Sequence, residues 1–258
     1  MKPEDFFYIV GERVESAGIK LVEVVKELIL PSPEEMPPDF RLLRRLVKKK
    51  ITVHEFLSLK LQLVFLAYLL FNLLILLLIR DSIPLLLLTA FLYFLYLRRL
   101  LRRNYYFFID FEPYRYFYYG LSLIAFLAFA GYTVLRMLTR TVYCYYAYLV
   151  AIFAVVLLFR QMFKTKYGRD WTYGVVEEIK GDLVRVFVHD DIAANVKPGY
   201  YWVDKVGDLK EGRIVKLLVE ERLMKGAIPK KIMEVYLGDQ SSQSSTEPKA
   251  ESDSNSRR

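Results

Sequence analysis

Between residues 59 and 159 apolar residues run in long unbroken stretches, and on either side the pattern changes to two different kinds of alternation. The first stretch, residues 59–79, has no ionisable group after Lys60. At about 1.5 Å per residue it is long enough to cross a hydrocarbon core of about 30 Å. Just upstream, Thr52 and Glu55 have the spacing of a capping box, and Ile51 with Phe56 that of a hydrophobic staple, so the helix is predicted to start at Thr52. Arg80-Asp81-Ser82 leaves room for only a tight reversal before a second span over residues 82–101. Pro84 falls in its first turn, where no amide hydrogen bond is lost, and Arg98 and Arg99 snorkel at its end. Residues 116–135 and 142–159 supply the third and fourth spans of a transmembrane region covering 52–166.

The N-terminal flank has a helical period. Phe7, Val10, Val14, Ala17, Leu21, Val24 and Leu28 recur at spacings of three and four, which predicts an amphipathic helix within residues 1–30 with an acidic opposite face. Its stripe suits either folding back on the chain or a coiled-coil dimer. The Pro-rich linker 31–38 ends that helix, and residues 39–51 read as a basic juxtamembrane helix lying on the membrane surface.

After residue 166 the period becomes two. Five segments, WTYGVVEEI, LVRVFVHD, YYWVDKV, RIVKLLVEE and KIMEVYL, read as short strands separated by turn residues. Val184, Val186 and Val188 share one face of the second, and Val215, Leu217 and Val219 one face of the fourth. Pro198-Gly199 suits a type II turn, with a left-handed glycine. Residues 167–238 are therefore expected to form a small five-stranded β-barrel of the OB or SH3-like kind. The Ser-rich tail 239–258 has no apolar anchor and is expected to be disordered. The fold class is an α-helical membrane protein with four transmembrane helices, an N-terminal amphipathic helix and a C-terminal β-barrel.

Composition agrees, at 54% apolar residues. No cleavable leader is expected, because the first thirty residues lack a continuous apolar core. Charge placement adds orientation. Sixteen Lys and Arg lie in the approach to the first span, the 98–115 connection and residues 160–169, against Arg80, Arg136 and Arg140 in the two other loops. The positive-inside rule then places both termini and the barrel in the cytoplasm of a multi-pass cell-membrane protein.

Residues 98–120 hold five arginines and ten tyrosines and phenylalanines, a mixture found both in single-stranded nucleic-acid grooves and at membrane headgroups. Their position between two spans favours the headgroups, with Arg98, Arg99, Arg102, Arg103, Tyr105, Tyr106, Tyr118 and Tyr119 as interface anchors. Small residues mark spans three and four as the tight pair, through Gly131 on one and Ala147 and Ala151 on the other. A self-association face is the competing use of the two alanines.

Candidate chemistry is sparse. His54 and His189 lie on opposite sides of the membrane region in sequence and are read as ordinary surface residues. Asp190-Asp191 alone does not make a metal site, and no recognisable catalytic or phosphate-binding motif occurs. Cys144 is read as a buried inert thiol, with no disulfide partner in the chain. The span interiors offer Asn72, Thr89, Ser122, Thr133 and Cys144 but no acid or base, which disfavours transport, and Asn72 is expected to bond between helices. The barrel segment balances twelve basic against twelve acidic residues and so lacks the footprint of phosphate-backbone binding. Tyr200, Tyr201 and Trp202 are candidate protein-partner contacts, although alternation must turn part of this triplet inward.

In YGRDWTYGVVEEIKGDLVRVFVHDDIAANVKPGYYWV, residues 167–203, the GRDW and NVKPG segments are distinctive. Through them and the preceding spans the chain resembles a family of predicted archaeal membrane proteins of unknown function. The resemblance implies a membrane location and supplies no activity, ligand or catalytic residue. The architecture is more distantly similar to NfeD-type proteins, several spans followed by an OB barrel that assists membrane complexes. The combined expectation is a cytoplasm-facing scaffold in the lipid bilayer, with a protein partner or a second copy, no catalytic set, no cofactor, no metal and no nucleic acid. A small oligomeric transporter or channel and a membrane tether for nucleic acid are the alternatives.

Overall fold

The helix predicted to begin at Thr52 does so. α1 spans Val53–Leu78, with Thr52 extended as its N-cap and the Thr52–Glu55 capping box formed. The Thr52 amide donates to Glu55 Oε2 at 3.1 Å. The structure is a computed structural model and describes residues 52–79, 82–139, 141–207, 209–222 and 226–236, together with 19, 20, 22, 26 and 31–33. The heptad stripe from Phe7 to Leu28, the basic helix 39–51 with Ile51 of the staple, the charged pair Arg80-Asp81 and the tail 239–258 lie outside the described residues.

Three further helices follow: α2 (Ile83–Arg103), α3 (Phe111–Leu138) and α4 (Val142–Tyr167). All four are long and apolar enough to cross a membrane. α3 starts five residues before the predicted boundary, with Asp110 extended at its N-cap position and Pro113 accommodated in its first turn. α4 continues beyond its apolar run through Arg160, Lys164 and Lys166 and ends at Tyr167. Helices α1, α2 and α3 pack mutually around Leu57, Leu61, Tyr68, Tyr93, Leu97 and Tyr118.

The expected pairing of spans three and four holds, since α3 and α4 share the most extensive helix contact. Gly131 supports it by admitting Tyr148, whose hydroxyl donates to the Ala128 carbonyl at 2.7 Å. Gly120 admits the Phe159 ring in the same way. Ala147 and Ala151 do not take part: both are exposed on the outer side of α4. The physical reason is that α4 meets α3 through large side chains set into glycine gaps, so its own small residues need not face inward.

Asn72 bonds between helices as expected, accepting from Thr89 Oγ1 on α2 at 2.8 Å. Tyr93 and Ser122 join α2 to α3 at 2.9 Å, and Ser82 and Thr133 do so at 3.2 Å. Cys144 is half-buried rather than buried.

The five strands are β1 (Trp171–Lys180), β2 (Leu183–Val188), β3 (Gly199–Asp204), β4 (Ile214–Arg222) and β5 (Gly226–Val235). They close in the order β1-β2-β3-β5-β4, with β3 parallel to β5 and the remaining pairs antiparallel, a connectivity of the OB type. A bulge between Val176 and Glu178 bends β1, which pairs β4 through its first half and β2 through its second. The inward residues are the predicted ones: Val184, Val186 and Val188 on β2, and Val215, Leu217 and Val219 on β4. The type II turn at Pro198-Gly199 is not formed. Gly199 lies in β3 opposite Val188, and the chain reverses earlier through a left-handed Asn195 with φ 54°. The Asp191–Val196 bridge completes the reversal before Pro198 is reached.

Candidate functional site

The loop from His189 to Pro198 joins β2 to β3 and points its first residues at the helix bundle. Asp190 is the residue that meets it. Its carbonyl accepts from His54 Nε2 at 2.9 Å and from the Tyr114 hydroxyl at 3.0 Å. Its Oδ2 accepts from the hydroxyls of Ser58 and Tyr114. Helices α1 and α3 thus grip one aspartate with three side chains, and Ile192 packs on the apolar cluster beneath.

Because a carbonyl oxygen only accepts, the His54 bond fixes the proton on Nε2. Nδ1 is then left buried with no hydrogen-bond partner among the described residues. The His54 ring stands edge-on to Phe108 at 6.0 Å, Tyr114 at 5.4 Å and His189 at 6.3 Å between centroids. The surface reading of the histidines is therefore corrected. His54 is 5% exposed, and the fold brings the two rings together. Neither fact is local, since Tyr114 lies 60 positions from His54 and Asp190 lies 136.

His189 is the more accessible of the two. Its Nδ1 lies 3.4 Å from Thr52 Oγ1 and 3.6 Å from Glu55 Oε1. Burial pushes its pKa below the ordinary value and nearby His54 adds to this, while Glu55 opposes. Glu55 is itself buried, with Oε2 engaged in the helix cap and Oε1 without a hydrogen-bond partner among the described residues.

A second clamp lies beside the first. Arg169, at the end of the α4–β1 connection, reaches Asp110 before α3 at 3.4 Å and Asp191 at 3.0 Å. Its guanidinium also sits over the Trp171 ring at 4.5 Å. Asp191 is fully engaged: Oδ2 accepts from Thr172 at 2.6 Å and from Arg169, and Oδ1 accepts the amides of Ala193 and Ala194. Burial raises the pKa of Asp110 above the usual carboxylate range; Arg169 draws it back, while Asp191 and Glu112 push it up. GRDW thus supplies the clamp arginine and its aromatic floor. In NVKPG, the Asn195 carbonyl accepts the Ala227 amide at 2.8 Å and holds the loop to β5.

Chemically this is a joint. Ser58 donates to a carboxylate and not to an imidazole, so the nucleophile–base pairing of covalent catalysis is missing at that serine. Among the described residues no group of three or more metal-ligating side chains is placed to hold an ion. What the cluster can do is lock barrel to bundle and respond to protons.

The predicted site residues divide. Arg98, Arg99, Arg102, Arg103, Tyr105 and Tyr106 lie together at the barrel-side end of α2 and just after it, with Tyr105, Tyr106 and Arg102 exposed. Tyr119 stacks on Phe94 beside them. Tyr118 is instead 4% exposed and faces the helix core, because it shares with Tyr114 the side of α3 turned to α1 and α2. On β3 Tyr200 and Trp202 point outward, whereas Tyr201 packs against the barrel core.

No curated protein and no solved structure matches the chain. A family match extends from residue 25 to residue 233, taking in the spans, the clamp and nearly all of the barrel. The chain belongs to the family described as Predicted membrane protein (DUF2101).

Proposed function

We propose that this integral membrane protein is a cytoplasm-facing adaptor that presents its β-barrel, in a fixed orientation, to a protein partner or a second copy at the inner leaflet. The observation that carries the reading is the double clamp on the β2–β3 loop. A barrel merely tethered by a flexible linker needs no such buried joint, whereas a presented surface gains from a defined orientation through lower ordering cost on binding. The outward side of β2 and β3 is aromatic, and its arginine, Arg185, is ion-paired to Glu178 at 3.0 Å. Phe187 and Tyr200 pack at 5.1 Å, and Arg185 lies over the rings of Tyr200 and Trp202 at 5.3 and 6.0 Å. Aromatic residues and arginine are the side chains that dominate protein interfaces. The excess of cations on one side of the spans supports the cytoplasmic placement.

Crosslinking in native membranes followed by purification tests this. Wild type should yield a stoichiometric partner or a homo-oligomer, and the Tyr200→Ala, Trp202→Ala variant should lose it while remaining folded. A wild-type protein recovered as a partner-free monomer contradicts the adaptor role.

A further inference from the structure

At the barrel-side end of the bundle, a cavity of about 610 Å³ opens between α2, the turn after it, the start of α3 and the residues Pro31 and Pro33. Its size is that of a small-ligand pocket. Among the described residues its charged lining is of one sign: Arg98, Arg102 and Arg115 contribute guanidinium groups. Arg98 and Arg102 stand one turn apart on the same side of α2. The Nε of Arg98 is buried without a hydrogen-bond partner among the described residues. Arg115 is paired to Glu112 at 2.9 Å but keeps a half-exposed side chain. Tyr105, Tyr106 and Tyr119 add hydroxyls and ring surface around the same opening.

Guanidinium groups that share one opening repel one another, and an anion placed among them offsets that repulsion and accepts from their N–H groups, as Glu112 already does for Arg115. Arginine, with its planar fork of donors, matches phosphate oxygens two at a time, and each cation lining this cavity among the described residues is arginine. The sequence around it fits as well: α2 changes from apolar to basic at Arg98, and arginines that end a span are expected to meet lipid phosphates. We infer that this cavity is a binding site for a phosphate ester, with Arg98 and Arg102 as its principal ligands and Arg115 at its rim. An anionic phospholipid headgroup and a soluble phosphate ester share that chemistry. The site differs from general attraction of cations to the leaflet, because it predicts a retained, countable ligand.

Native mass spectrometry of the detergent-purified full chain, titrated with phosphatidylglycerol or phosphatidylcholine, tests it. One phosphatidylglycerol per chain should be retained in preference to phosphatidylcholine. The Arg98→Gln, Arg102→Gln variant should weaken that retention by at least about tenfold, the scale of losing a charge-assisted hydrogen bond. The Arg160→Gln, Lys166→Gln variant, which removes the same charge from the same end of α4, should retain the lipid as wild type does. Glycerol 3-phosphate competes in a parallel arm: displacement of the lipid assigns the site to soluble esters, and persistence assigns it to the headgroup, with the pocket upheld in both cases. Equal loss in the two charge variants, or equal retention of the two lipids by wild type, overturns the assignment. Because both variants keep the glycine contacts of α3 and α4, a common melting temperature separates lost binding from lost folding.

Discussion

His54 and Asp190, 136 positions apart in the chain, are joined by a 2.9 Å hydrogen bond from the imidazole Nε2 to the aspartate carbonyl. One residue belongs to the first turn of a membrane-spanning helix and the other to a loop of the β-barrel. The bond is the centre of a joint in which Ser58, Tyr114, Arg169 and Asp191 complete the closure. The first consequence concerns Asp190 itself. Replacement by alanine strands the hydroxyl of Ser58 in a buried setting and removes one of two acceptors of Tyr114. Leaving such a donor unsatisfied costs about 1–3 kcal/mol. Asp190→Ala should therefore increase proteolysis at the barrel–bundle junction, with Asp190→Asn milder because its amide oxygen still accepts. Unchanged cleavage in Asp190→Ala would show that the side chain bears no load.

The joint should be sensitive to acid. His189 has a pKa below its ordinary value of 6.5, so its neutral form is the one the closed arrangement favours. Its contribution is intact above pH 6.5 and is lost progressively as the pH falls toward the depressed value. Hydrogen exchange of the 189–196 loop should accelerate over that interval and then level off. His189→Gln should flatten the response, and an identical profile in that variant would assign the titration to another group.

Contact between α3 and α4 rests on two glycines. A Cβ added at Gly131 would lie 2.5 Å from the Tyr148 hydroxyl, and one at Gly120 would enter the Phe159 ring. Gly131→Leu and Gly120→Leu should each destabilise the bundle by about 1–3 kcal/mol, the range of overpacking. Ala147→Leu and Ala151→Leu should leave the isolated chain unaffected, because both face outward. Resistance to detergent-induced unfolding reads the difference. If the alanine variants alone impair self-association, their face is an intermolecular one.

The Asn72–Thr89 pair is a smaller term. Thr89→Val removes a 2.8 Å bond between α1 and α2, and interhelical bonds of this kind contribute about 0.6 kcal/mol. A double-mutant cycle with Asn72→Leu should return a coupling of that order. A coupling several times larger would indicate that Tyr68 and Tyr93, stacked at 4.1 Å, depend on the pair.

How far the sequence alone reached depended on whether each signal was local. Leucine runs, the Thr52–Glu55 cap and the alternating valines of β2 and β4 are local, and each emerged in place. β5 begins at Gly226, earlier than the period-two run at Lys231, because Pro229 reads as a breaker although it sits beside a register shift opposite Val219. Tyr118 looked like a headgroup anchor because composition does not say which side of a helix faces lipid. The joint was least legible. Asp190-Asp191 was its only compact trace, and its meaning depended on His54, Ser58 and Tyr114 arriving from helices on the other side of the chain's midpoint. Arg169 was visible only as part of a distinctive segment, without its partners Asp110 and Asp191.

The central claim, that barrel and bundle move as one body through this joint, is tested most directly by a distance measurement. Spin labels at Leu92→Cys on α2 and Lys210→Cys on the barrel, in a Cys144→Ser background, report the separation by double electron–electron resonance. Intact protein should give one narrow distribution, which Asp190→Ala combined with Arg169→Gln broadens. A broad distribution in the intact joint, or an equally narrow one after both clamps are removed, would contradict the account.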